Sequence, residues 1–400
     1  MLELNKFNEN EKKVFPENID VTQKELIDGF MDHFESKGYH KFSPEPIIPL
    51  DDSSLLFTNA TIVPLKKFIL NRNIPPPGIV SQQPCLRTQN IARLSDPDFN
   101  PEYMSYFKML GILCPPNSYQ QVSKDIHILL NNVLNLDDSN IKILASNSCE
   151  SFLNYWEQTD IEIEMNTQKE EFYSWEYGMP GIYGSGVTFS IRQKDGNWRD
   201  LGNIIQISDE KNNIIGYEFG FGVETAISRI YSLNGPFEAA IISESMPFRD
   251  NPLYKKIQDS LVLLVVLYRE GINPGEGGRQ SITRKIIRWI TKTITELEYI
   301  DLNKIEEILI DFEQKEFNEK TDTPYRIISD IEKHRKQHEY RLGLFRNFVK
   351  NQKRLFDQKS ITNIEKLKDN LKKKAFSLYF IDQKEFEEII HEFFGDLLID

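Results

Sequence analysis

The clearest helical pattern runs over residues 22–37, where Leu26, Phe30, Met31 and Phe34 recur on one face of a 3.6-residue period. Thr22-Gln-Lys-Glu25 has the form of a capping box and Gly38 the form of a stop, so the pattern predicts a helix with its apolar face in a core. A proline-punctuated stretch follows, Pro75-Pro-Pro-Gly78 breaks the chain, and two strand-like runs come next, 78–87 and 103–113. The polar connection between them predicts a long hairpin loop, of a length that is usually functional. Strand-like runs return over 203–207 and 214–219, end in Gly220-Phe-Gly-Val-Glu224 and pass into a helical period. From about Pro252 onward the pattern is helical, with 261–267 reading as a buried helix and 282–294 as an amphipathic one. The map is α+β over 1–240 and all-helical over 241–400.

Composition narrows the class. The chain has 400 residues, 40% hydrophobic and 27% charged, which fits two or three globular domains and excludes disorder as the main state. Three cysteines (Cys85, Cys114, Cys149) are too few for a disulfide scaffold and lack metal-ligand spacing. The longest apolar run, 261–268, is short of a membrane span, and no basic-then-apolar leader opens the chain; a cytoplasmic protein without a membrane partner is expected. A formal net charge of −13 argues against an indiscriminate polyanion binder, DNA included. That acidity is uneven. Residues 330–374 hold 14 Lys/Arg against 6 Asp/Glu, a local +8, with Tyr340, Leu344, Phe348 and Leu355 recurring among the basic residues. This stretch reads either as a solvated helix face or as a surface for a phosphate backbone.

Candidate chemistry sits on the strands. Gly220-x-Gly lacks the third glycine and the βαβ surroundings of a dinucleotide fold, and no Walker motif is present. Instead, Arg87 ends one strand, Tyr106-Phe107 open the return strand, and a Gly-x-Gly strand opens a helix. An antiparallel sheet with an arginine and an aromatic at one end can bind ATP, the guanidinium forking onto phosphate and the ring facing the adenine.

These parts resemble alanyl-tRNA synthetases, which are class II aminoacyl-tRNA synthetases. Pro49-Leu-Asp-Asp-Ser-Ser-Leu-Leu-Phe-Thr-Asn-Ala60 is similar to the family's amino-terminal signature. Ser81-Gln-Gln-Pro-Cys-Leu-Arg87 and Tyr106-Phe-Lys-Met-Leu-Gly111 resemble the two arms of its motif 2. Trp175 with Gly178, Gly181 and Gly184 resembles its tryptophan-glycine segment, and Gly220-Phe-Gly-Val-Glu224 its motif 3. Glu270-Gly-Ile-Asn-Pro274, Arg279 and Arg284-Lys-Ile-Ile-Arg288 resemble part of its tRNA-recognition domain. The resemblance implies a class II antiparallel sheet flanked by helices, followed by a helical acceptor-stem-recognition domain, the chain stopping where the family's editing domain would begin. It implies activation of a small amino acid with ATP and Mg²⁺ to an aminoacyl adenylate, then transfer to a tRNA. Arg87 would clamp the α-phosphate and the carboxylate, with Phe107 and Met109 on the adenine side and Gly222, Glu224 and Arg229 completing the ATP site. Trp175, Asn203, Glu218 and Gly220 would form the amino-acid site, Glu218 pairing with the ammonium and Gly220 leaving room for the substrate. Arg279, Arg284, Arg288, Arg335, Arg341 and Arg346 would meet tRNA.

Several positions depart from the family. Thr225 replaces the arginine that ends motif 3, Lys108 reverses the motif 2 glutamate, Glu218 lengthens the amine-binding aspartate, and Thr188 replaces an acidic residue. The acceptor-stem loop is Gly275-Glu-Gly-Gly278. Three readings follow: an aminoacyl-tRNA ligase without editing; a repurposed ligase that passes the adenylate to a small molecule, peptide or carrier; and a non-catalytic binding paralog.

Overall fold

The computed structural model describes residues 16, 18–50, 52, 54–246, 250–297, 301–359, 363–379 and 381–395; Asp51 and Ser53 of the amino-terminal signature lie outside them. The chain divides into two compact units, Met1–Ile286 with Asn303–Pro324, and Ile287–Leu302 with Tyr325–Asp400.

The first helix, α1 (Ile19–Glu35), starts earlier than the capping-box reading places it. Asn18 holds the N-cap position, and the Thr22 hydroxyl donates to the Asn18 carbonyl at 2.8 Å from inside the first turn. Thr22 is therefore a helical residue, and Glu25 has no cap to close. The rest of that reading stands: Leu26, Phe30, Met31 and Phe34 are buried, and Gly38 ends the turn at φ +87°, a conformation open to glycine without strain.

Among the described residues nine strands form one sheet: β1 (His40–Phe42), β2 (Ile79–Leu86), β3 (Tyr106–Cys114), β4 (Ile141–Ala145), β5 (Glu162–Met165), β6 (Ser174–Glu176), β7 (Ile182–Arg192), β8 (Trp198–Asp209) and β9 (Ile214–Gly222). The spatial order is β1-β2-β3-β9-β8-β7-β4-β5, with β6 pairing β7. From β2 to β4 every pair is antiparallel, while the outer pairs β1/β2 and β4/β5 are parallel. Strands β4 and β7 escaped the periodicity reading. Ile141–Ala145 is buried at every position, so it shows no alternation, and β7 passes through Gly184 and Gly186, where glycine interrupts the strand-like pattern. One face of the sheet packs on α1 and on the helix Tyr119–Ile128 through Phe30, Phe34, Val122, Ile126, Phe189 and Phe219.

Helix α2 (Val223–Ile230) leaves β9 directly, and α3 (Pro252–Arg269) begins where Asn251 caps the Leu253 amide and Pro252 occupies the first turn. Its residues from Lys256 to Tyr268 are all buried, as the apolar run predicts for 261–267 but not for the more polar 256–260. Helices α4 (Gly278–Glu296), α5 (Leu302–Phe317), α6 (Thr323–Asp357), α7 (Ile364–Lys374) and α8 (Gln383–Phe394) complete the helical part. In the second unit the core is Phe345 and Val349 of α6 against Leu367, Leu371, Phe386 and Ile390. Of the stripe formed by Tyr340, Leu344 and Phe348, only Phe348 packs against that core, half-buried; Tyr340 is 68% exposed and Leu344 40%. The buried positions lie one residue further along, because α7 and α8 pack on that side. Helix α8 starts in a complete capping box, Asp382 with Glu385.

Candidate active site

Strand register assembles the site. Gly111 of β3 pairs with Gly220 of β9, Gly220 with Asn203 of β8, and Asn203 with Thr188 of β7. The next row on this face pairs Glu218 with Ile205. Side chains two residues apart on a strand share a face, so Asn203, Ile205, Glu218 and Gly220 converge although far apart in sequence. Gly220 carries a tighter demand than room for a substrate. A Cβ there would stand 2.8 Å from the Leu110 carbonyl oxygen, so the close approach of β9 to β3 itself requires glycine.

Two cavities meet on this row. One, of about 510 Å³, is lined by Glu218, Tyr177, Ile205, Asn59 and the 60–66 segment. The other, of about 400 Å³, is lined by Phe107, Gly222, Glu224, Thr225, Tyr103 and Asp200. Arg87, Met109, Trp175, Asn203 and Gly220 belong to both. Arg87 thus stands at the junction. Its Nε donates to the Asn59 carbonyl at 3.3 Å, and its guanidinium lies over the Phe107 ring at 4.8 Å. Trp175 is held by pairing of β6 with Gly184, whose missing Cβ lets the indole strand approach.

In the larger cavity Glu218 is 6% exposed. Tyr177 donates its phenol O–H to Oε2 at 2.8 Å. Burial, opposed by that hydrogen bond, pushes the carboxyl up to about 7. Such a carboxylate gains most from a cationic ligand. Tyr177 is the partner that sequence reasoning missed, although it sits two residues after Trp175, just past the end of β6. Thr188, expected only as a lost charge, donates to Oδ1 of Asn203 at 2.7 Å and orients that amide.

In the smaller cavity Glu224 accepts the Lys108 backbone N–H at 3.2 Å through Oε2. Burial pushes its carboxyl up to about 7, against the pull of Lys108. The reversed charge of Lys108 does not enter the cavity. Its Nζ pairs with Glu316 of α5 at 2.8 Å, and Glu316 also accepts from the Tyr106 phenol at 2.8 Å. No local signal could have linked Lys108 to a residue 208 positions away. Arg229 does not line the cavity: its Nε donates to the Asp200 carbonyl at 3.1 Å, behind the wall.

The described residues contain no cluster of three His, Cys, Asp or Glu side chains able to hold a metal by themselves. Mg²⁺ with a nucleotide takes most ligands from phosphate and water and needs only one or two carboxylates. Glu224 and Asp200 on the smaller cavity are compatible with that supporting role.

The six arginines expected at tRNA are placed as follows. Arg279 donates to the Leu56 and Leu55 carbonyls at 2.6 and 3.3 Å, and Arg284 faces Glu276 at 3.5 Å. Arg288 lies on α4. Arg335, Arg341 and Arg346 lie on α6, Arg346 pairing with Glu392 at 3.3 Å. At about 100° per residue, Arg335 and Arg346 share a face and Arg341 points roughly 120° away. No helix among the described residues is long and apolar enough to cross a membrane.

Known proteins resemble the chain over part of its length. Residues 25–200 match the family model for class II (A) tRNA synthetases. The alanine–tRNA ligase of Wolbachia pipientis is 24% identical over 318 residues, covering 72% of this chain and 36% of that enzyme. The alanine–tRNA ligase of Staphylococcus saprophyticus is 35% identical over 88 residues, 22% of this chain and 10% of that enzyme. Among solved structures, the histidyl-tRNA synthetase of S. aureus matches with a TM-score of 0.36 at 10% identity, over 56% of this chain and 70% of that one. The matched region therefore spans only about a third of the Wolbachia enzyme. With its α+β sheet, its match to the class II (A) synthetase model over residues 25–200 and its likeness to an alanine–tRNA ligase over 72% of its length, the chain resembles the alanyl-tRNA synthetases.

Proposed function

We propose that the protein activates a small amino acid with ATP to an aminoacyl adenylate and transfers the acyl group to a tRNA. The observation that carries this reading is the placement of Arg87 between a cavity with a buried, cation-seeking carboxylate and a cavity with an aromatic wall. The amino-acid ammonium meets Glu218, with Tyr177 holding the carboxylate in place. Trp175 and Ile205 bound the side chain. The substrate carboxylate then lies toward Arg87 and attacks the α-phosphate, and pyrophosphate leaves. Arg87 offsets the charge that builds on the α-phosphoryl oxygens, and the two ligands gain rate mainly by being held together. Phe107 and Met109 face the adenine. Glu224 and Asp200 would hold Mg²⁺, which neutralises phosphate charge when bound. Residues 241–400 serve as the acceptor-stem region, with the basic face of α6 positioning the phosphate backbone.

A second reading, transfer of the adenylate to a non-tRNA acceptor, is favoured by one observation: Arg279 is committed to the Leu55 and Leu56 carbonyls. Amino-acid-dependent pyrophosphate exchange over all amino acids, followed by charging of total tRNA, separates the readings. Exchange lost in Arg87→Ala supports activation. Exchange without charging moves the protein to the second reading, and absence of exchange with every amino acid refutes both.

A further inference from the structure

The hairpin loop between β2 and β3 carries Arg87 at its base and Tyr103 on its return; Arg87 lines both cavities above and Tyr103 the smaller one. Its neck is closed by the Arg87 amide donating to the Ser105 carbonyl at 2.8 Å. One carboxylate holds that neck from outside the sheet. Asp259 of α3, 1% exposed, accepts the Ser105 amide at 2.7 Å on Oδ1, and on Oδ2 the Ser105 hydroxyl at 2.6 Å and the Asn90 side-chain amide at 2.9 Å. Asn90 in turn donates to the Tyr103 carbonyl at 2.8 Å. The same helix docks the rest of the loop. Lys256 reaches the Asp96 carbonyl and lies 5.7 Å from the Phe99 ring, while Lys255 meets Asn100 at 3.4 Å. Asp259 touches neither cavity, and no step described above uses it.

We infer that Asp259 is a positioning residue: it locks both sides of the loop neck onto α3 and so sets where Arg87 and Tyr103 stand before any ligand arrives. Three hydrogen bonds to one buried carboxylate give that point a rigidity that a solvent-exposed hairpin loop lacks. Pre-set geometry at Arg87 lowers the ordering cost of binding a phosphate there.

The test uses the full chain with Asp259→Asn, Ser105→Ala and the double variant Asp259→Asn/Asn90→Asp. Asp259→Asn keeps an acceptor for the Ser105 amide but turns an amide against the Asn90 amide. The double variant restores a donor–acceptor pair between positions 259 and 90 with the roles exchanged, while the donor to the Tyr103 carbonyl is lost. Amide exchange over residues 88–104 is expected to speed up about tenfold in Asp259→Asn and about threefold in Ser105→Ala, with β8 and β9 unchanged, and to recover in part in the double variant, which lacks the bond to the Tyr103 carbonyl. Calorimetric affinity for Mg-ATP is expected to fall about tenfold in Asp259→Asn and to recover likewise. This arm, and a rise in the KM for ATP with the amino-acid KM unmoved, rests on the ligase reading. Unchanged exchange over 88–104 in folded Asp259→Asn and Ser105→Ala overturns the inference, as does faster exchange with unchanged Mg-ATP affinity. If the wild-type chain binds no Mg-ATP, the ligase reading fails while the exchange arm still decides whether Asp259 holds the neck.

Discussion

Replacing Glu218 with glutamine probes the site without any assumption about its ligand. Burial raises the carboxyl from its ordinary 4.5 to about 7. At about 1.4 kcal/mol per pH unit, that displacement corresponds to about 3 kcal/mol. Below pH 4.5 the side chain is neutral in both folded and unfolded chains. Between 4.5 and 7 the unfolded chain releases the proton and the fold retains it, so stability falls as pH rises through this window, and above 7 the loss is complete. A glutamine in place of Glu218 keeps an acceptor for the Tyr177 hydroxyl and carries no charge to bury. Denaturant unfolding of both proteins at about pH 4.5 and about pH 8 is therefore expected to show the variant gaining about 3 kcal/mol on the wild type between those pH values. Glu224 titrates in the same range but is present in both chains and cancels in the difference. In the wild type, affinity for an amino acid is also expected to rise as pH rises toward 7, with release of one proton on binding. A wild-type-to-variant stability difference that stays constant across this range would refute the reasoning, because Glu218 would then titrate as an exposed carboxyl does.

Three further predictions follow from other parts of the site. Lys108→Ala leaves Glu316 buried without its cation and is expected to cost about 3–5 kcal/mol in denaturant unfolding, with Lys108→Glu/Glu316→Lys recovering a large part. Gly220→Ala forces a Cβ against the Leu110 carbonyl and is expected to cost about 1–3 kcal/mol, seen as a lower unfolding midpoint; wild-type stability in this variant would contradict the close β3–β9 packing. If the face of α6 bearing Arg335 and Arg346 tracks an RNA backbone, their joint replacement by glutamine lowers tRNA affinity and flattens its logarithmic salt dependence by about one to two, whereas an unchanged slope assigns both to a solvated surface.

Much of the site was legible from residue type and order. Arg87 after a strand, Trp175 before a glycine cluster and Gly220-x-Gly222 before a helix are local signals, and all border the paired cavities. What stayed hidden depends on partners distant in the chain. Thr188 reads alone as a missing acid, and becomes the hydroxyl that orients Asn203 only once β7 lies beside β8. Lys108 reads alone as damage to an ATP site, and becomes half of a buried ion pair only once α5 is in place. The basic helix shows the same limit. Its apolar periodicity is local, but which apolar residues are buried depends on where α7 and α8 pack, and Phe345 and Val349 were chosen over Tyr340 and Leu344.

The sequence by itself determined the α+β character, the helical second part, the buried face of α1 and the arginine, aromatic and carboxylate side chains available to the site. Periodicity, proline breaks and charged side chains act over a few residues, so a linear reading reaches them. Only the tertiary structure decided the strand register that seats Glu218 beside Asn203, the neutralisation of Lys108 by Glu316, and the anchoring of the Arg87 loop on Asp259. Those are pairings between distant segments, selected by burial and by the need of each buried polar group for a partner, and no spacing along the chain encodes them.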